Sequence, residues 1–207
     1  IYTVWGTQAD DGGTVDLLTE AEMSIYGTSS YDWVGLQTCL ADIDGDGQQD
    51  VIVGSEEDRV RIYLGSSLDA GGDFPRTQYD LEIKHNGGGY MGESCASPGD
   101  IDGDGKDELL IGSWYANEIW MFTGATLSSA GGSATTCSDM SLPCFDNTSD
   151  LYASWTGNSL GEMPGRGLAA VGDVDGDGLG DILVGAPGAD TEFFNNVTMF
   201  NAGKAYL

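Results

Sequence analysis

The sequence predicts an all-β fold built from repeated sheets of four antiparallel strands, and three observations support this. Glycine accounts for 33 of the 207 residues and proline for only 5, which indicates many tight turns between strands. One acidic motif occurs three times. Each copy is followed by short runs rich in β-branched and aromatic residues, and no segment has the apolar spacing of a long helix.

The composition excludes several classes of function. Hydrophobic residues make up 40% of the chain and include 5 Trp, 9 Tyr and 6 Phe, which is enough to bury a core. The net charge of -27 excludes nucleic acid as a partner, because phosphate binding needs clustered cations, and it disfavours an anionic membrane surface. No run of about 18 apolar residues is present, so no membrane insertion is expected.

The acidic motif sets the period of the chain. Its three copies share the pattern Asp-x-Asp-Gly-Asp-Gly and begin at Asp42, Asp100 and Asp173. The second interval is longer than the first because it contains the insertion CSDMSLPC. A glycine that ends an aromatic run recurs with nearly the same period, since Gly6, Gly65 and Gly124 are evenly spaced. The chain is therefore a series of similar units.

The sequence of each unit predicts four strands. The first enters the acidic loop, the second is rich in Val, Ile and Leu and leaves the loop, the third is aromatic, and the fourth is a polar outer strand. Units of about 60 residues with this content have the size of β-propeller blades, and about three and a quarter blades are present. Their expected bounds are roughly 1–27 (the end of a preceding blade), 28–87, 88–157 and 158–207 (incomplete). A β-sandwich is the alternative, but it gives no reason for three loops of one design.

The acidic loops are predicted metal sites. Carboxylates occupy loop positions one, three, five and nine, the glycines at four and six permit left-handed dihedrals, and the backbone carbonyl at position seven is a further donor. The carboxylates are Asp42, Asp44, Asp46 and Asp50; Asp100, Asp102, Asp104 and Glu108; and Asp173, Asp175, Asp177 and Asp181. The carbonyls belong to Gln48, Lys106 and Leu179. A donor set of oxygen atoms alone favours Ca²⁺, so the sequence predicts three Ca²⁺ sites.

Two alternatives to a repeated calcium loop fit the sequence less well. A single Asp-Gly-Asp-Gly string would be consistent with a solvated turn, but three copies in register argue against that. An EF-hand is excluded because its twelfth loop position must be acidic, whereas Val53, Ile111 and Val184 occupy it here.

The four cysteines fall at two kinds of position in the sequence. Cys137 and Cys144 bracket a short polar segment, and we expect a local disulfide that places the protein outside the cytoplasm. Cys39 and Cys95 fall on corresponding leading strands of adjacent blades, where they either bridge the blades or remain buried thiols.

No catalytic constellation emerges, and we predict no enzyme. His85, the single histidine, lies in a polar stretch that predicts a surface loop, and no nucleophile stands at a recognisable spacing from it. Candidate ligand-binding side chains lie in predicted rim loops: Trp114, Tyr115, Phe193 and Phe194. Packing between blades is the alternative role for these four. Core packing is expected of Trp5, Trp33, Trp120 and Trp155.

The segment GDVDGDGLGDILVGAPGAD, from Gly172 to Asp190, resembles the FG-GAP repeat of the integrin α-subunit propeller and of bacterial secreted relatives. The stretch from Gly13 to Gly27 is similar to the outer-strand linker of the bacterial forms. The resemblance implies a seven-bladed propeller with one Ca²⁺ in several blades, on a secreted or surface-attached protein. The chain departs from the pattern at Gly54 and Gly112, where Gly-Ser-Glu and Gly-Ser-Trp replace Gly-Ala-Pro, and at Glu108, where glutamate replaces aspartate.

Three functions remain open at this stage. The first is a calcium-stabilised extracellular propeller that acts in adhesion or recognition of a protein or glycan ligand at its rim. The second is a structural subunit of an extracellular assembly. The third is the noncatalytic portion of a larger secreted hydrolase or lyase. Because similar aromatic strands stand near both ends, we expect further blades or neighbouring chains to cover the open blade faces.

Overall fold

The computed structural model describes most of the chain. The described residues are 2–3, 23–55, 58–68, 71–85, 87, 90–129, 144–146, 149–158, 161–193 and 197–207, with the side chains of 2–3, 55, 191–193 and 197–199 left aside. The predicted Trp5 core position, Cys137 and Phe194 lie outside these residues, as does most of the 13–27 linker.

Strands dominate the described residues, as the sequence predicts. The first group is β1 (Tyr2–Thr3), β2 (Met23–Tyr26), β3 (Gln37–Ala41), β4 (Asp50–Ser55), β5 (Arg59–Tyr63), β6 (Gly72–Pro75) and β7 (Leu81–Lys84). The second is β8 (Ser94–Gly99), β9 (Glu108–Ser113), β10 (Glu118–Phe122), β11 (Cys144–Asp146) and β12 (Ala153–Thr156). The third is β13 (Gly167–Gly172), β14 (Asp181–Ala186), β15 (Thr191–Phe193), β16 (Val197–Met199) and β17 (Lys204–Tyr206). Two single-turn helices, α1 (Gly65–Leu68) and α2 (Gly124–Leu127), follow β5 and β10.

Two sheets have the predicted four-stranded antiparallel order. In the first, β3, β4, β5 and β7 pair in sequence, and in the second β8, β9, β10 and β12 do the same. A third sheet contains β13, β14 and β17, and the pair β1–β2 is the end of another. This arrangement confirms an all-β, partial propeller, while the predicted bounds of the individual blades remain a prediction.

Two additional strands depart from the four-stranded pattern. Strand β6 lies between β5 and β7 in the chain but pairs in parallel with β2 of the preceding sheet. Strand β11 lies between β10 and β12 and pairs in parallel with β7. In these two units, the connection between the third strand and the outer strand therefore contains an extra strand. This extra strand pairs with the outer strand of the preceding sheet.

The main core lies between the first and second sheets. The apolar side chains of the middle strands alternate toward this interface, and the largest fully buried ones include Trp120, Phe122, Phe145 and Ile62. Burying each such side chain contributes about 1.5–3 kcal/mol. Of the tryptophans expected in the core, Trp120 is buried, but the expectation is wrong for Trp33 and Trp155, which are 54% and 47% exposed.

Close backbone approach explains the glycine after the first two Val/Ile/Leu-rich runs. A Cβ atom on Gly54 would collide with the carbonyl of Gly92, and one on Gly112 would collide with the carbonyl of Gly165. Both carbonyls belong to the segment that leads into the next sheet. Glycine at this position therefore allows adjacent sheets to pack at backbone contact.

The leading strands of neighbouring sheets are covalently joined. Cys39 of β3 and Cys95 of β8 form a disulfide with a Cα–Cα distance of 6.0 Å, so the bridging alternative is the one the molecule adopts. Cys144 is also disulfide-bonded. The predicted Cys137–Cys144 pairing falls on a residue outside those described. Within the described residues, no helix has the length and apolar character needed to cross a bilayer.

Candidate metal centre

The three acidic loops lie at the same edge of their sheets. Each connects the first strand of a sheet to the second: residues 42–49 join β3 to β4, 100–107 join β8 to β9, and 173–180 join β13 to β14. Tight wrapping requires left-handed backbone conformations. Gly45 and Gly47 have φ of 76° and 87°, and the matching glycines of the other loops are also positive. The glycines at positions four and six therefore fulfil their predicted role.

Each loop brings three carboxylates together. One oxygen of each residue in the group lies within 4.8 Å of the other two. The groups are Asp42, Asp44 and Asp50; Asp100, Asp102 and Glu108; and Asp173, Asp175 and Asp181. They correspond to loop positions one, three and nine, so the same geometry recurs in all three sheets.

Backbone hydrogen bonds hold the first carboxylate of each loop. In the first loop, the N–H of Gly45 donates to Asp42 Oδ1 and the N–H of Gly47 donates to Asp42 Oδ2, both at 2.9 Å. Asp100 and Asp173 accept the equivalent bonds in the other loops. These bonds fix the orientation of the carboxylate, and Oδ2, which accepts one of them, retains a lone pair for a cation.

The acid at position nine is anchored most firmly. Asp50 is buried and accepts the N–H of Ile43 and the N–H of Gly65, each at 2.8 Å. Burial raises the pKa of Asp50 to about 6, although these two bonds partly offset the effect. Burial likewise raises the pKa of Glu108, which accepts from Ile101 at 2.8 Å. A nearby divalent cation would favour the ionised form of both.

The position-five acids lie outside the three-carboxylate groups. Asp46 Oδ1 accepts the N–H of Gln48 at 2.8 Å, and Asp104 and Asp177 make the same bond to Lys106 and Leu179. This bond closes the turn between positions five and seven. Metal coordination by these acids and by the carbonyls of Gln48, Lys106 and Leu179 remains a prediction.

The donor chemistry fits a hard divalent cation. Every group contains carboxylate oxygen alone, and three like charges converge at a part-buried turn. Two unit charges 4 Å apart repel by about 1 kcal/mol even at the dielectric of water, so convergence of three is unfavourable without a counter-charge. Each loop would hold one such ion. In the first loop its ligands would be Asp42, Asp44 and Asp50, and the equivalent residues would serve in the other two loops.

An aromatic cluster occupies the opposite edge of the second sheet, where the turn 114–117 joins β9 to β10. Tyr90 stacks on Trp114 with ring centroids 5.8 Å apart, and Tyr115 meets Trp114 edge-on at the same distance. The guanidinium of Arg166 lies 5.3 Å from the centre of the Trp114 ring. Tyr115 is 64% exposed, so the cluster, defined as Tyr90, Trp114 and Tyr115, presents aromatic surface to solvent.

Two other residues considered in the sequence, Phe193 and His85, do not add to this surface. Phe193 ends β15, and its side chain lies outside the described set. His85, expected on a surface loop, is half-buried with its ring 4.8 Å from that of Trp120.

Two known family models match the parts of the sequence that contain the acidic loops. An FG-GAP-like repeat model matches residues 42–111, and an FG-GAP repeat model matches residues 165–207. Together the two matches span more than half of the chain and include all three acidic motifs. The chain belongs to the FG-GAP repeat family. FG-GAP repeats are propeller blades, in agreement with the sheets described above.

Several relatives of the chain are integrin α subunits. It is 26% identical over 178 residues to integrin alpha-PS5 of Drosophila melanogaster, covering 81% of this chain and 16% of the relative. It is 29% identical over 161 residues to integrin alpha-4 of Xenopus laevis, covering 74% of this chain and 14% of the relative. The chain spans about one-seventh of the length of the relatives it matches.

Two residues that contact Trp114 in the aromatic cluster are not indicated by the sequence pattern around it. Tyr90 and Arg166 lie far from Trp114 along the chain, one before it and one after it, so no local pattern indicates that they meet it. One sequence signal marks Tyr90 as a repeated position of the units. A large side chain stands two positions before a glycine in the segment that leads into each sheet, and the three residues at this position are Trp33, Tyr90 and Met163. All three have positive φ.

Proposed function

We propose that this chain is a calcium-binding part of an extracellular FG-GAP propeller that acts in adhesion or in recognition of a protein or glycan ligand. The observation that carries the proposal is the threefold recurrence of three converging carboxylates at one edge of the sheets. The similarity to integrin α subunits supports the adhesive role.

Calcium is the cation that the donors favour. Three converging carboxylates, to which the position-five acid and the position-seven carbonyl would add, suit the six to eight oxygen ligands of Ca²⁺ better than the rigid, partly hydrated octahedron of Mg²⁺. A bound ion would neutralise the repulsion among the acids and tie the strands on each side of the loop together. In this proposal, calcium stabilises the propeller rather than taking part in a reaction.

An extracellular location is supported by covalent chemistry. The Cys39–Cys95 disulfide and the disulfide at Cys144 are the kind of bond that persists in oxidising compartments. The surface that we assign to ligand recognition is the aromatic cluster, because exposed Tyr and Trp side chains contribute strongly to binding interfaces. We propose no catalytic role for this chain.

The structural-subunit alternative rests on a separate observation. Leu40 on β3 and Leu183 on β14 are 56% and 39% exposed, although these strands are the first and second of their sheets rather than outer strands. Further blades or neighbouring chains would cover these positions.

Calorimetric titration of the chelator-treated chain with Ca²⁺ tests the metal proposal. We expect three ions per chain and a melting temperature that falls by more than about 10 °C when the ions are removed. Mg²⁺ at the same concentration serves as the control cation and should restore little of the stability. Absence of calcium binding, or an unchanged melt in chelator, would refute the proposal.

The recognition role needs a different measurement. The calcium-loaded chain is applied to an array of glycans and immobilised extracellular proteins, beside the Tyr115→Ala variant. Tyr115 is exposed, so this change should preserve the fold and reduce binding to any ligand held by the aromatic cluster. Binding that the variant retains in full would argue against this surface, and absence of binding to every probe would favour the structural subunit.

A further inference from the structure

Residues 106 and 107 of the second acidic loop reach into the first loop. Lys106 Nζ donates to the carbonyl of Asp44 at 3.1 Å and to Ser128 Oγ at 2.5 Å. Asp107 accepts the N–H of Asp42 with its carboxylate and donates its own N–H to the carbonyl of Asp42. Asp42 and Asp44 are two of the three converging acids of the first loop. The second loop therefore positions the backbone that carries both of these acids.

The backbones of the first two loops are also in contact. A Cβ atom on Gly45 of the first loop would lie 2.7 Å from the carbonyl oxygen of Gly105 in the second loop. Both glycines have the positive φ that the wrapped loop requires, 76° and 88°. Because the carbonyl of Gly105 occupies the space beside Gly45, a change in the wrapping of one loop displaces the other.

Gly124, the first residue of α2, joins the buried ends of the same two loops. Its N–H donates to Glu108 Oε1 at 3.4 Å, and a Cβ atom on it would lie 2.9 Å from the carbonyl oxygen of Ile43. The N–H of Ile43 in turn donates to Asp50. Glu108 and Asp50 are the position-nine acids of the second and first groups. The two buried acids are thus connected through only two intervening residues.

The third loop is related to the second in a different way. Its positions seven and eight are Leu179 and Gly180, which carry neither an amine nor a carboxylate. A Cβ atom on Gly103, the counterpart of Gly45 in the second loop, would meet no other described atom within 4 Å. The side-chain bonds and the backbone contact of the first pair therefore have no equivalent between the second and third loops, both of which the structure describes completely.

A divalent cation changes the balance between a wrapped and an open loop. Without an ion the converging carboxylates repel one another, and a bound ion draws them together. A wrapped second loop holds residues 106 and 107 against Asp42 and Asp44, so the first loop is already ordered when its own ion binds. When the second loop opens, part of the binding free energy of the first ion is used to order the first loop. Thermodynamic linkage makes this effect reciprocal.

We propose that the first two loops bind Ca²⁺ with positive cooperativity through residues 106 and 107, whereas the third loop binds its ion independently. The inference rests on the proposed function, because it describes how the calcium sites act on one another. Lys106 and Asp107 are positioning residues for the first ion. Couplings between two binding sites commonly change an affinity by about fivefold or more, which sets the size of the expected effect.

Backbone amide NMR of the full chain separates the three sites. The position-six glycines, Gly47, Gly105 and Gly178, each donate an N–H to the first carboxylate of their own loop, so each amide signal reports the occupancy of one site. Titration with Ca²⁺ is carried out at about 0.15 M salt, where a Debye length of about 8 Å limits direct repulsion between bound ions. The Gly47 and Gly105 signals should move together and more steeply than a single-site curve.

Two matched variants each remove the position-three acid of one loop. Asp102→Ala disables the second site but removes none of the bonds between the loops, and it should raise the Ca²⁺ midpoint of Gly47 by about fivefold or more. Asp175→Ala disables the third site and should leave the Gly47 midpoint unchanged. In the reverse direction, Asp44→Ala should raise the midpoint of Gly105 by the same factor as Asp102→Ala raises that of Gly47.

A third variant removes the coupling residues themselves. Lys106→Met/Asp107→Ala keeps the backbone carbonyls, and in this background Asp102→Ala should no longer change the Gly47 midpoint. Gln48→Met/Gln49→Ala is the matched control at the same, exposed positions of the first loop, and it should preserve the coupling. An unchanged Gly178 midpoint shows that each variant retains the fold.

The outcomes separate the cooperativity from the calcium sites. An equal Gly47 midpoint in the parent and in Asp102→Ala, or equal shifts in Asp102→Ala and Asp175→Ala, would overturn the cooperativity and leave three calcium sites in place. If none of the three glycine amides responds to Ca²⁺, the proposed function is wrong and the cooperativity is wrong with it.

Discussion

Asp42 of the first acidic loop and Asp107 of the second are hydrogen-bonded in both directions. The N–H of Asp42 donates to Asp107 Oδ2 at 2.9 Å, and the N–H of Asp107 donates to the carbonyl of Asp42 at 2.8 Å. Next to this pair, Lys106 Nζ donates to the carbonyl of Asp44 at 3.1 Å. The first two loops are therefore fixed to each other. The third loop has Gly180 at the position of Asp107, and its backbone packs against the carbonyl of Pro98.

Replacing Asp107 with alanine should destabilise the fold even without metal. The change removes a charged acceptor from the part-buried N–H of Asp42, and such a loss costs about 1–2 kcal/mol. Urea unfolding in the presence of chelator measures the difference independently of any cation. Gln49→Ala is the matched control, because Gln49 is exposed at the same position of the first loop. Equal stabilities of the two variants would show that the inter-loop bond contributes nothing.

Replacing Asp175 with alanine should remove one calcium ion and leave two. Asp175 belongs to the carboxylate group of the third loop, and repeat units contact only their neighbours, so its loss should act locally. Calorimetric stoichiometry is the measurement. The more conservative Asp175→Asn keeps one oxygen and should weaken the site less. Simultaneous loss of all three ions would contradict the modular architecture.

The repeated loops and the strands next to them could be predicted because their signals are local. A loop with acids at alternating positions and glycines between them determines its own conformation, as the positive φ of Gly45 and Gly47 shows. The short apolar run that follows each loop is rich in β-branched residues and bounded by glycine, which indicates a strand. In the first two sheets, the order of the first three strands then follows from their short connections.

The parallel strands β6 and β11 could not be predicted in the same way. Residues 72–75 contain glycine and proline and pair with β2, a strand of the preceding sheet, so their partner is chosen by tertiary packing of Phe74. The position-five acids are a similar case within the candidate site. Spacing alone could not show that Asp46 would bond to the N–H of Gln48 while Asp42, Asp44 and Asp50 converge.

Removing the inter-sheet disulfide should lower stability without changing the fold. Cys39 and Cys95 close a loop with a sequence separation of 56 residues, for which the chain-entropy model gives about 4 kcal/mol. The double variant Cys39→Ala/Cys95→Ala avoids a free thiol and leaves the disulfide at Cys144 intact. Its free energy of unfolding, measured by urea titration without reductant, should fall by about 2–4 kcal/mol. An unchanged value would mean that packing alone holds β3 against β8.

Replacing His85 with phenylalanine should change how stability depends on pH. Burial lowers the pKa of His85 in the folded chain, with a smaller opposing effect from Asp58 and Glu118. A histidine with a lowered folded pKa contributes its full stability above the unfolded value, near 6.5, and loses it as the pH falls through the folded pKa. Phenylalanine keeps the contact with the Trp120 ring and does not titrate.

The free energy of unfolding of the two proteins should therefore be similar at pH 7.5, and the variant should be the more stable one at pH 5. The comparison between the proteins at each pH removes the contribution of the acidic loops, which titrate in both. Chelator is included throughout, so that cation binding does not vary with pH. Parallel pH profiles would contradict the prediction, because they would mean that the pKa of His85 is the same in the folded and the unfolded chain.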